Sequence, residues 1–387
     1  MTHTADVAAP DLALIDHHVH GILTGELDAI AIEYGLMEST SPPPPGTSGF
    51  DTQIGFAVRR WCAPVLDLEP LAPADEYVRR RLALGSAEVA RRFLTASAIN
   101  TWVVDTGYQS DAVTTPDELV ALSGSAAVEI VRLESVAERV ISSGVTAAGY
   151  ADAITAAVHA AATGPRPGPG AVVGFKSVAA YRGGLALDPE RPAPVEVAAA
   201  ASRWLREVSD GAPARLEHQV LIRHGIWAAI DTGLPLQFHA GFGDTDSRLA
   251  RSDPALLHDF LLASQPTGTP VMLLHCYPYH RQAGAMANLF PHVYMDVGEI
   301  LNHVGARSAA VLAESLELTP FHKMLYSSDA FGLPELHYLG AVGFRRDIAA
   351  VTGAFVSDGL WSAADAYRVA DMIGSANARR VYKLRPS

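Results

Sequence analysis

Short apolar runs recur along the chain, each followed by a stretch with helical patterning. The runs are Leu12–His20, Ile99–Thr106, Val128–Leu133, Ala171–Ser177, Leu234–His239, Pro270–His275, Val293–Val297 and Lys323–Ser328. Their Val, Ile and Leu content fits parallel strands buried on both faces. Between them, stretches such as Val195–Val208, Leu216–Thr232 and Ala306–Leu318 read as amphipathic or Ala-rich helices. Eight such alternations predict a (β/α)8 TIM-type barrel, one unit over residues 1–387. A doubly wound open sheet is the alternative architecture, but no G-x-G-x-x-G opens the first helix.

Two segments interrupt the alternation. Residues 23–98 are far longer than an ordinary barrel connection. They carry helical patterns near Asp28–Glu38, Gln53–Leu66 and Asp75–Thr95, and a stiff connector at Ser41–Gly46. Because this insertion follows the first strand, it is expected at the C-terminal rim, as a lid, a subunit contact or a plain surface elaboration. Gly164–Gly170 reads as a Pro/Gly loop ahead of the fourth strand.

Composition narrows the chemistry. Hydrophobic residues make up 49% of 387 residues, enough for a large core, and 29 basic against 42 acidic residues leave a net charge of −13. That balance argues against nucleic acid as a partner, since phosphate recognition needs a basic face. No window is apolar over a bilayer's width, and the start lacks the basic and apolar regions of a secretory signal, so a cytoplasmic protein without membrane partners is expected. The two cysteines, Cys62 and Cys276, cannot build a thiolate-only metal site. Any metal must therefore be held by some of the fifteen histidines and by carboxylates.

The strand ends carry the candidates. Alternation puts Asp16, His18 and His20 on one face of the first strand and His17 on the other. Two imidazoles in an H-x-H can chelate one divalent ion, or be hydrogen-bonded residues of a polar strand end. Lys176 closes the fourth strand with inward parity, where a charged amine is costly unless it is paired or modified. It can be carboxylated into a metal-bridging anion, or stay an amine that binds an anion. His239, His275 and Asp329 close the fifth, sixth and eighth strands, with parity shared by Gln237, by Val271 and Leu273, and by Leu325 and Ser327. Each is a weak signal alone; together they favour an imidazole–carboxylate site for zinc or a similar ion. Tyr181, Arg182, Asp244, Tyr277 and Arg281, with Glu299, are candidate substrate contacts at the rim. Arg182 suits a carboxylate, and Asp244 an amine or a helix cap. His280, His292, His303, His322 and His337 lack this placement and read as ordinary residues.

The order of these residues resembles the amidohydrolase superfamily, and the strings Phe175–Leu185, Gln237–Asp244, His275–Tyr279 and Tyr326–Glu335 resemble the amidohydrolase-related half of FluG-type and nodulin/glutamine-synthetase-like fusion proteins. The resemblance implies a (β/α)8 barrel whose ligands would be His18, His20, Lys176, His239, His275 and Asp329, holding one or two ions. A divalent ion can lower the pKa of water to about 7. Water activated in this way is the expected nucleophile on an amide-type C–N bond of a small molecule, with Asp329 as general base and then acid, and His275 as a ligand or carbonyl polariser. The alternative is a decarboxylase or other lyase of the same superfamily. The apolar composition and the insertion are also compatible with a homodimer.

Overall fold

In the computed structural model, residues 11–39, 41, 44–164 and 170–385 are described. Seven of the apolar runs form one parallel sheet in chain order: β1 (Leu14–Val19), β2 (Ile99–Asp105), β3 (Ala126–Arg132), β4 (Val172–Ser177), β5 (Leu236–Ala240), β6 (Val271–His275) and β7 (Val293–Met295). Every neighbour is parallel, with Asp16 opposite Trp102, Asp105 opposite Ile130 and Phe238 opposite Leu273. Parallel neighbours need a crossover each, and helices supply it.

The eighth run, Lys323–Ser328, departs from expectation. It forms no strand of this sheet, although it lies between the two edge strands. Leu325 N–H donates to the Met295 carbonyl at 3.0 Å, and His17 N–H to the Tyr326 carbonyl at 3.1 Å. Its remaining backbone groups are spent elsewhere. Tyr326 N–H donates to Ile373 O, Asn377 Nδ2 donates to Met324 O at 2.8 Å, and the Asp16 carboxylate accepts from Ser328 N–H and Oγ–H at 3.0 and 2.5 Å. A segment satisfied by side chains and turns cannot run a ladder.

Two apolar layers follow from strand alternation. One gathers Ile15, Val103, Ile130, Met272, Leu274 and Leu325 from facing strands, inside the curl, with Ala378, Val381 and Tyr382 closing one end. The other packs Trp102, Phe175, Phe238 and Leu273 against the surrounding helices.

The expected helices 195–208, 216–232 and 306–318 appear as Pro194–Ser209, Gln219–Asp231 and Ser308–Ser315. Between β1 and β2 the chain forms Ala29–Tyr34, a helical stretch from Gln53 that tightens into a 3-10 turn ending at Leu66, Ala74–Leu84 and Ser86–Ser97. The last two were expected as one; Gly85, at φ +77°, divides them. These helices share a core of their own, around Phe50, Ile54, Tyr77 and Phe93, that also takes in Leu333 and Leu339. Arg81 and Glu335, both about 2% exposed, form a buried ion pair at 2.6 Å across that junction. Of the proline connector, Pro42 and Pro43 lie outside the described residues, as do 165–169 of the Pro/Gly loop. No helix among the described residues is long and apolar enough to cross a membrane.

Candidate metal centre

At the C-terminal ends of the strands, His18, His20, Lys176, His239, His275 and Asp329 come together. Asp329 lies at the centre. Its Oδ1 is 3.0 Å from His18 Nε2 and 3.4 Å from His20 Nε2, and its Oδ2 is 3.1 Å from His275 Nε2. Lys176 Nζ is 2.7 Å from His18 Nε2. The His239 and His275 rings lie 4.9 Å apart, and Tyr181 Oη is 3.4 Å from His239 Nδ1.

The residues fit a divalent ion. Buried and without a hydrogen bond are His239 Nε2, both nitrogens of His275, His18 Nδ1 and Asp329 Oδ1. Buried polar atoms are rarely left so. Elsewhere a histidine–carboxylate hydrogen bond closes to 2.7 Å, as between His17 Nε2 and Asp296 Oδ2. The separations around Asp329 are longer, and two ligands at 2.0–2.1 Å from one tetrahedral ion stand about 3.3 Å apart. Protonation agrees. Burial and the Lys176 charge push the His18 imidazole down to about 3, and burial with neighbouring cationic groups pushes His239 well below the usual range. Neutral imidazoles are the ligating form. Burial disfavours the Asp329 carboxylate, but His275, His18 and His20 outweigh it and hold the group ionised.

Alternation alone does not account for how these side chains arrive. Gln237 and His239 follow it. On β6 the inward residues are Met272 and Leu274, not Val271 and Leu273. By that count His275 would face the helices, but His275 and Cys276 adopt φ of +65° and +62°. This left-handed turn, unusual outside glycine, brings the His275 imidazole against Asp329. Asp329 itself sits at φ +49°. On β1 the inward parity is that of Ile15 and His17, so His17 lies beneath the site: its Nε2 meets Asp296 and its Nδ1 meets Tyr382 Oη at 3.0 Å. The pairing register shifts between Asp16 and Val19, where His18 departs from that alternation and joins the cluster. Asp296 Oδ1 accepts from the backbone N–H of His275 at 2.8 Å, fixing that turn, and of Gly298 at 2.9 Å. Gly243 supplies room above: a Cβ there would stand 2.1 Å from Tyr181 Oη and 2.9 Å from His239.

A cavity of about 670 Å³ opens over the cluster. Tyr181, Arg182, Asp244 and Glu299 line it, as expected. Tyr277 and Arg281 do not. Tyr277 stacks on His280, while Arg281 is 55% exposed and paired with Glu314 and Glu317 on the surface. The left-handed turn at 275–276 carries the chain away from the mouth before those positions are reached. Arg182 Nη2 is 3.5 Å from Glu138, with its Nε unpartnered.

Several site residues were not anticipated. Asp105, closing β2, accepts from Arg132 Nη2 at 2.6 Å and lies 3.6 Å from Lys176 Nζ. It also forms a candidate ligand group with His18 and His20. The strand-end rule applied to β2 would have found it. Arg132, Glu38 and His303 also line the cavity. Glu38 comes from the 23–98 segment and His303 from the helix Gly298–His303, where no strand-end signal exists.

A curled parallel sheet with a histidine–aspartate cluster at its strand ends defines a metal-dependent enzyme of the amidohydrolase type. A family model described as amidohydrolase matches residues 147–384, and the chain belongs to that family. It is 34% identical over 228 residues to protein fluG of Emericella nidulans, a match covering 55% of this chain and 26% of that protein. The chain thus spans about a quarter of this curated relative. Among solved structures, a Lactobacillus casei protein described as a metal-dependent hydrolase superposes with a TM-score of 0.82 at 27% identity, covering 97% of this chain and 96% of that one. A uronate isomerase of Bacillus halodurans shares the fold, with a TM-score of 0.65 at 14% identity over 99% and 96% of the two chains.

Proposed function

We propose that the protein is a metal-dependent hydrolase of an amide-type C–N bond in a small molecule, built on an eight-membered (β/α) ring that segment 323–328 completes. In this reading residues 1–387 are one unit, with 23–98 an insertion over the strand ends. The carrying observation is the set of buried imidazole nitrogens without a hydrogen bond, on His18, His239 and His275, around an ionised Asp329 at the floor of the cavity. His18, His20, His239, His275 and Asp329 would hold the ion, for which zinc suits the imidazole-rich set. The ion would supply Lewis acidity and activate water at neutral pH.

The protein's own part is proton handling and positioning. Asp329 accepts the proton of the attacking water and returns it to the leaving nitrogen, so that the amide C–N bond breaks to a carboxylate and an amine. Tyr181, held against His239, and Arg182, with its free Nε, orient the substrate; a guanidinium there suits an anionic group. Lys176 shares Asp105 with Arg132, so one carboxylate faces two cations. Burial lowers the lysine pKa against the pull of Asp105. Carboxylation of this amine by carbon dioxide would give a carbamate able to bridge two ions; the burial of Lys176 beside His18 and Asp105 supports that reading. Incubation with 13C-carbon dioxide and NMR detection of a carbamate tests that point.

The function itself is tested by screening small amides for amine release, with carbon dioxide release measured in parallel. Metal-dependent amine release is expected. Carbon dioxide release without amine would replace this reading with decarboxylation.

A further inference from the structure

A second group of ligand-type side chains lies in the same cavity, separate from Asp329 and the five residues around it. Glu38, Glu299 and His303 each offer one atom, and these three atoms lie within 4.8 Å of one another. His303 Nε2 is 3.3 Å from Glu38 Oε1, longer than the 2.7 Å bond of His17 to Asp296. It matches the separation of about 3.3 Å expected for two ligands of one tetrahedral ion. Glu299 is 7% exposed, and its Oε2 makes no hydrogen bond among the described residues. Asp244 stands beside them, hydrogen-bonded to Glu38. Three carboxyl groups thus crowd one imidazole, and such a group must either share protons or take a cation. Burial and the Glu38 charge push the Glu299 carboxyl well up. Burial and the same neighbour push Asp244 up to about 7.

We propose that Glu38, Glu299 and His303 form a second divalent-cation site in the wall of the cavity, distinct from the site around Asp329. Two carboxylate oxygens and one imidazole nitrogen suit zinc or manganese. The imidazole argues for a metal over an organic ammonium, which would be best served by acceptors alone. Glu38 belongs to the 23–98 segment, so a bound ion would also pin that segment to the helix Gly298–His303.

The test counts ions. Chelator-stripped protein is dialysed to equilibrium against graded Zn2+, and bound metal is measured for the wild type, Glu299→Gln, His303→Ala and the double variant His18→Ala/His20→Ala. The expected result is one ion fewer, or at least ten-fold weaker binding of one ion, in Glu299→Gln and in His303→Ala. The His18/His20 variant should keep one ion that the other variants lose. Glu299→Gln keeps side-chain shape, and the partly exposed His303 provides the second test if the buried change unfolds the protein. Unchanged ion number and affinity in both single variants would overturn the second site, as would loss of every ion in the His18/His20 variant. Unchanged binding in the His18/His20 variant alone would overturn the centre around Asp329 and leave the second site standing.

Discussion

Arg81 in the helix Ala74–Leu84 and Glu335 in the first turn of the helix Pro334–Ser357 tie the 23–98 segment to the rest of the fold. Replacing Arg81 by Met keeps the aliphatic stem and removes only the charge. Arg81 Nε and Nη2 donate to Glu335 Oε1 and Oε2 at 2.6 and 3.4 Å, and Tyr77 Oη donates to Oε1 at 3.2 Å. With both ionised side chains about 2% exposed, Arg81→Met strands a carboxylate away from water. Breaking one side of such a pair costs about 3–5 kcal/mol. One hydrogen bond from Tyr77 offsets about 1 kcal/mol of that, leaving about 2–4 kcal/mol. Glu335→Gln in the Arg81→Met background removes the stranded charge and keeps an acceptor for Tyr77, so at least half of the loss should return. Urea denaturation of the wild type, both single variants and the double variant, followed by fluorescence and far-UV circular dichroism, gives the coupling energy. A loss below about 1 kcal/mol in Arg81→Met, or no recovery in the double variant, would refute the assignment of this pair as the junction's tie.

Further outcomes are expected. Asp329→Ala should abolish turnover while far-UV circular dichroism stays that of the folded protein; retained turnover would exclude its proton role. Gly243→Ala should lower kcat/KM by about 100-fold or more, the order of loss expected from a misplacement of about 1 Å, and Tyr181→Phe in the same chain should restore part of it by removing the clashing oxygen. Chelation followed by re-addition of Zn2+ should abolish and then restore activity, and should lower and then restore Tm, because an ion that binds only the native state stabilises it. His292 is buried beside Ser264, and burial together with Lys323 pushes its imidazole down to about 4. The unfolded chain takes up that proton near pH 6.5, so the native state binds fewer protons between the two values. Its contribution is present above pH 6.5 and is lost as pH falls toward 4; denaturation curves of His292→Gln should be flatter over that window.

The sequence was legible where backbone alternation carries the side chain. Gln237 and His239 are the clear case, because nothing on β5 breaks the two-residue period. It was less legible at β6, where His275 reaches the site through a left-handed turn that reverses its parity, so the residue was found for an insufficient reason. Tyr277 and Arg281 were misplaced by the same turn. Asp105 escaped because the second run was read one residue too far, to Thr106. Glu38 and His303 had no local signal at all: what brings them together is packing between segments more than 250 positions apart, which no local period encodes. The eighth run was legible as a segment beside the sheet's edge strands but not as a strand, because Asp16 and Asn377 compete for its backbone groups.

Asp296 has a consequence for how this protein could change its chemistry. It braces β1 through His17 and β6 through the His275 amide, and it is not among the residues that line the cavity. Arg182, paired with Glu138, touches none of that bracing. A substitution there can therefore retune which molecules are accepted while the reactive groups stay in register, whereas a change at Asp296 would disturb every reaction the cavity supports. Adaptability and constraint thus fall on different residues, which makes Arg182 the place to begin redesign of specificity.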